Sequence, residues 1–151
     1  MKEAKAKERL TSYMSLNMEI ENQLERLARM KNQEKLPAMK QGDGSQHTSC
    51  MHDRLERAII RRMEFEERVL PQIEAAQEEM EEIEDAINSL HDPMEREVLR
   101  LRYIDGESCR LMNWRDVALQ MFGTDDERHI LATYRLHGKA LQSIAKIFDS
   151  K

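Results

Sequence analysis

Four cations near the C-terminus, Arg128, Arg135, Lys139 and Lys146, repeat at steps of seven, four and seven. On a helix, at 100° per residue, the last three fall within about 20° of Arg128. Ile130, Tyr134, His137, Leu141, Ile144 and Phe148 alternate steps of four and three on the opposite side. One helix therefore carries an apolar stripe to bury and a straight row of positive charge. Such a row grips anions, and duplex DNA offers one charge per ~1.7 Å. The chain's net charge is −5, so the row is a local feature and the average charge says little about partners. A solvated helix face, with its cations favoured by the helix dipole, is the other reading of the row. On the DNA reading, Arg128 and His129 at the helix start lie nearest the bases, and Arg135 and Lys139 grip phosphates. Arg115 and Arg110, just upstream, either touch the DNA backbone or serve as plain surface cations.

Other chemistry finds little support. His47, Cys50 and His52 put three metal-binding types within six residues, but they do not close a tetrahedral set and no partner pair lies nearby. No metal site is expected. There is no HExxH, GxSxG, Walker loop or glycine-rich dinucleotide fingerprint, so no catalytic residue, cofactor or enzyme activity is expected. Trp114, the single tryptophan, reads as a core anchor at a helix start rather than a base-stacking residue. His137, on the apolar stripe, reads as a packed or capping histidine. Gly138 in mid-helix points to close approach by another helix.

The elements that must position the row are helical. Charged residues make up 35% of the 151 positions and aromatics 5%, with five glycines and three prolines. That composition suits long exposed helices, and no alternating strand pattern is present. No apolar run is long enough to span a membrane. The N-terminus lacks a secretory core. Two cysteines make no disulfide framework, which points to a reducing, cytoplasmic setting.

Residues 5 to about 35 repeat every seven: Tyr13, Ile20 and Leu27 in one seam position, Leu10, Asn17 and Leu24 in the other. Asn17 is either a buried register residue or solvent-facing. Pro37, Gly42 and Gly44 mark a loop over 37–50. A second helix, 52–90, follows the seam Leu55, Ile59, Val69, Ile73, Ala76, Met80, Ile83, Ile87 and Leu90, interrupted by Arg62 and Glu66 and bent at Pro71. The two helices form an antiparallel hairpin. Its acidic run Glu74–Asp85 reads as a solvated face, with an acidic contact surface as the other reading.

Asp92-Pro93 with Glu95 opens a third helix, ended by Asp105-Gly106, with Val98, Leu99, Leu101 and Ile104 inward. Asn113 with Asp116 caps a short helix that ends at Gly123. Thr124 with Glu127 caps the last. A short helix, a tight turn and a longer helix make the helix-turn-helix pattern, whose second helix lies in the major groove.

From Leu90 onward the chain resembles the small phage-encoded transcription regulators of Gram-positive bacteria, which are similar to the promoter-reading helix-turn-helix domain, region four, of sigma factors. Leu90, Asp92-Pro93, Leu101-Arg102-Tyr103, Gly106 with Trp114, Val117-Ala118 and the run Tyr134 to Leu141 carry the resemblance. It differs in the residues CRLMN before Trp114 and in about three extra residues near LAT, 131–133. Three residues turn a helix by about 300°, so the family's base contacts do not transfer by position. The resemblance implies promoter binding, contact with RNA polymerase, and an N-terminal hairpin like residues 5–90.

The expectations are these. The fold is all-α, with a coiled-coil-like hairpin over 1–91 and a sigma-region-four-like helix-turn-helix domain over 92–151. Function is sequence-specific binding of double-stranded DNA through Arg128, His129, Arg135, Lys139, Lys146 and Arg115, with transcription regulation as the outcome. The hairpin mediates a homo-oligomer, a dimer, or contact with polymerase. Two rivals stand: a small terminase-like packaging protein that binds DNA as a ring, and an interaction module without DNA binding.

Overall fold

The computed structural model describes residues 2–39 and 48–150. Their regular structure is all helical, with no strand among them, so the all-α expectation holds. Five α-helices follow one another: α1 (Glu3–Met39), α2 (Thr48–Asn88), α3 (Pro93–Tyr103), α4 (Trp114–Phe122) and α5 (Glu127–Asp149), with a 3-10 turn at Glu107–Cys109. Among the described residues, no helix is long and apolar enough to cross a membrane.

The long helices run further than their breakers imply. The sequence places a loop at 37–50, but α1 passes through Pro37 to Met39 and α2 starts at Thr48. A proline this close to a helix end removes one ladder bond and leaves the rest of the helix standing. The remainder of that loop, 40–47, lies outside the described residues, and His47 with it. α2 also continues through the exposed Pro71.

The chain divides into two compact units, one of residues 1–18 and 77–151, the other of residues 19–76. This cuts both long helices and does not follow the 91/92 boundary expected from sequence. The division falls where it does because the first four turns of α1 and the last three of α2 share an apolar core with α3, α4 and α5.

In the first unit, that core joins Ala6, Leu10 and Tyr13 of α1 with Ile83, Ala86 and Ile87 of α2. Val98, Leu99 and Tyr103 of α3, Val117 of α4, and Ala140, Ile144 and Phe148 of α5 also belong to it. Each fully buried Leu or Ile contributes about 1.5–3 kcal/mol relative to exposure. Polar pairs align the two long helices at the core's edge. Arg9 reaches Glu79 and Glu82, both at 2.9 Å, and the Tyr13 hydroxyl donates to the Glu84 carboxylate. Part of the acidic run is therefore engaged rather than solvated. Asn17 is half-buried, and its amide donates to Cys109 Sγ at 3.5 Å.

In the second unit, Ile20 and Leu27 of α1 and Phe65, Val69, Ile73 and Ala76 of α2 are buried. Arg62, which interrupts the seam in sequence, ion-pairs with Glu34 and with Glu66, the latter at 3.0 Å, and Lys31 reaches Glu66 at 3.8 Å. The two carboxylates raise the Arg62 pKa further, Glu34 most strongly. As positions rise along α1 they fall along α2, so the helices are antiparallel within the unit.

Candidate nucleic-acid interface

The placement of α5 begins with the two helices before it. The Asp92 carboxylate accepts from the Met94 N–H at 2.9 Å, and Pro93 occupies the first turn of α3. After α3 the chain turns at Gly106. A Cβ there would lie 1.8 Å from the Arg110 carbonyl oxygen, so only glycine lets the backbone fold back this tightly. The residues CRLMN form the return. Arg102 donates to the Met112 carbonyl, and the Met112 N–H donates to the Arg102 carbonyl at 3.3 Å.

α4 is capped as its sequence predicts. The Asn113 side chain accepts from the Asp116 N–H at 2.9 Å, and Gly123 closes the helix in the left-handed region at φ 77°. Four residues, 123–126, then lead into α5. The cap of α5 is Asp126, not Thr124. Asp caps as well as Thr does, and a carboxylate at this end also meets the helix dipole favourably. It accepts from the His129 N–H at 3.2 Å and contacts the His129 ring nitrogen, which lies 2.8 Å from the Thr124 hydroxyl. The side-chain bond to His129, and then the backbone bond, hold the Asp126 carboxyl below its usual range, with Arg128 adding to the effect.

Burial splits α5 along its length. Thr133, His137, Ala140, Leu141, Ile144, Ala145 and Phe148 are buried. Tyr134, expected on the buried stripe, is 45% exposed and forms its rim, with its ring 5.1 Å from Trp114. Trp114 also meets His137 edge-on at 4.7 Å and carries the Arg102 guanidinium at 4.4 Å. It packs α4 against α5, as a core anchor does. The His137 Nε2 lies 2.7 Å from the Tyr103 hydroxyl inside the core. Burial, then the positive charges of Lys7 and Arg102, push the His137 pKa down to about 4, so the imidazole is neutral at neutral pH.

The opposite face carries the row. Arg128, Arg135, Lys139 and Lys146 are all exposed, and none has an ion-pair partner among the described residues. Arg115, in the first turn of α4, and Arg110 are likewise exposed and unpaired. His129 differs from these, being half-buried in the cap cluster with its ring 5.3 Å from Phe122. Two features of this face were missed in sequence. Leu131 is 49% exposed on the side of Arg128 and Arg135; its spacing of three and four from those arginines is the signal that places it there. Gly138 has nothing within 4 Å of the position a Cβ would take. The expected close approach by another helix is therefore absent, although glycine here costs about 1 kcal/mol against alanine.

Cys50 and His52, at the start of α2, are exposed. No group of three or more His, Cys, Asp or Glu side chains suited to a metal ion occurs among the described residues. No family model matches the chain, and no curated protein or solved structure matches it either.

Proposed function

We propose that the chain is a non-enzymatic, sequence-specific DNA-binding regulator of transcription, of phage or prophage kind and sigma-factor-like. In this reading α4 and α5 form a helix-turn-helix, and α5 lies in the major groove. The observation that carries it is the row Arg128, Arg135, Lys139 and Lys146, exposed and without ion pairs among the described residues, opposite a buried face of the same helix. A row of like charges without an ion-pair partner among the described residues is best satisfied by a polyanion. The short turn through Gly123 and the anchoring of α4 on α5 by Trp114 add support.

Arg128 and Leu131, in the first turns, reach base edges, with His129 beside them in its cap. Arg135, Lys139 and Lys146 hold phosphates, and Arg115 adds a backbone contact from α4. The α1–α2 pair acts as a helical hairpin for self-association or polymerase contact. Leu24, Ile60, Met63 and Leu70, all exposed apolar side chains of residues 19–76, support a partner surface there.

The test is selection from fragmented phage and host DNA, read by sequencing, with the wild type beside Arg135→Glu/Lys139→Glu. A promoter-proximal site that the double variant binds poorly supports the regulator. Enrichment of a packaging-start site, with a ring-sized solution mass, favours a terminase-like protein. A folded chain with no salt-dependent binding is a partner-binding module instead.

A further inference from the structure

We propose that Gly138 marks where the sugar-phosphate backbone of duplex DNA comes closest to α5, in the space its missing side chain leaves open. The inference rests on the DNA-binding reading and adds a residue that makes the approach possible. Glycine weakens a helix interior, and this one sits near the middle of a 23-residue helix. The intramolecular reasons for keeping it are missing. Its backbone is not in the left-handed region, where Gly123 alone among the described glycines lies. It is not at a cap or turn. Beyond its chain neighbours and the adjoining backbone of α5, no described atom stands within 4 Å of where a Cβ would lie.

What surrounds it points outward. Gly138 follows Arg135 by three residues and precedes Lys139, and it lies seven after the exposed Leu131. At 100° per residue it falls on the flank of the cation row, about 80° from Arg128 on the side of Leu131 and Tyr134. A strand held by Arg135 that runs from it toward the side of Leu131 and Tyr134 passes over this flank. Any side chain there would hold the strand away and lengthen the charge-assisted contact to Arg135. Close approach of a backbone to its ligand is one of the uses that glycine serves where no turn requires it. The cations supply the charge complementarity that names the occupant as nucleic acid.

The experiment compares Gly138→Ala and Gly138→Gln with the wild type. Thermal melting reads the fold, and fluorescence anisotropy against a mixed-sequence duplex and the selected site reads binding. The Ala variant is expected to melt higher, by roughly 3 °C, yet to bind both duplexes roughly tenfold more weakly. The Gln variant is expected to bind more weakly still. A similar loss on both duplexes marks a backbone contact rather than a base contact. An Ala variant that binds as tightly as the wild type overturns the proposal. So does one that melts lower, because glycine then has an internal role. A folded wild type that binds neither duplex sinks the DNA reading itself, and with it this assignment.

Discussion

The Tyr103 hydroxyl and the His137 Nε2 stand 2.7 Å apart inside the core, joining α3 to the buried face of α5. Both groups are held neutral there. Burial raises the Tyr103 pKa to about 12, and burial together with Lys7 and Arg102 lowers that of His137 to about 4. The unfolded chain takes up a proton at His137 near pH 6.5. Between about 6.5 and 4 the unfolded state therefore binds more protons, and stability rises with pH across that window. The contribution is fully present above the window and is lost as pH falls through it, by about 3 kcal/mol at most. Urea unfolding across this range is expected to show the loss in the wild type and a flatter profile in His137→Gln. Identical profiles would assign the loss to other groups.

The turns before α4 and α5 predict two stability changes of different size. A Cβ at Gly106 collides with the Arg110 carbonyl oxygen, so Gly106→Ala must move backbone rather than a flexible side chain. Overpacking of this kind costs roughly 1–3 kcal/mol. Asn113→Ala removes only the bond to the Asp116 N–H, for about 1 kcal/mol. Chemical denaturation should rank the glycine variant lower, and equal midpoints would contradict the tight return described here.

Trp114 is the chain's only tryptophan, so its fluorescence reports directly on the docking of α4. Trp114→Leu loses the Arg102 stack and both edge contacts, to Tyr134 and His137. The side chain is only half-buried, so the expected loss is about 2 kcal/mol, below that of a full core truncation. A variant with unchanged stability but weakened DNA binding would instead make Trp114 a base-stacking residue.

Local signals were the legible part of this chain. The helix starts at Asp92 and Asn113, the left-handed stop at Gly123 and the buried stripe of α5 all follow from side chains a turn or less apart. Pairings between distant segments were not legible. Phe65 is buried although Arg62 and Glu66 stand beside it in sequence, because Arg26 from α1 and Arg68 lie over its ring, at 5.5 and 5.6 Å. Leu24 shares the seam position of Leu10 yet remains 46% exposed. Periodicity assigns a residue to a face, whereas closure depends on what the other helix presents. The shift of the α5 cap from Thr124 to Asp126 has the same origin, since both residues are good caps and the turn geometry decides between them. In the site, exposure of the cation row followed from the angle of each residue on the helix. The engagement of His129 by Asp126 and Thr124, and the open space at Gly138, depend on the turn before α5 and on what packs beside it, which periodicity does not specify.

The cation row makes a quantitative prediction about salt. Each phosphate neutralised releases counterions, so the logarithm of affinity falls with the logarithm of salt concentration at about −0.9 per contact. Arg135 and Lys139 are exposed, have no ion-pair partner among the described residues, and lie on one face of α5. Replacing each with Gln, rather than Glu, removes its charge without adding repulsion, and helix propensity barely changes. If each holds one phosphate, the double variant's salt slope should be shallower than the wild type's by roughly 1.8. Its melting temperature should stay where it was, because neither side chain supports the core. Titrations at several salt concentrations, on both a selected and a mixed-sequence duplex, measure the slope. A parallel loss on the two duplexes identifies phosphate contacts, whereas a loss confined to the selected site moves these residues to base edges. An unchanged slope, with the variant folded, would leave the row as a solvated face of α5 and place any binding surface elsewhere on the chain.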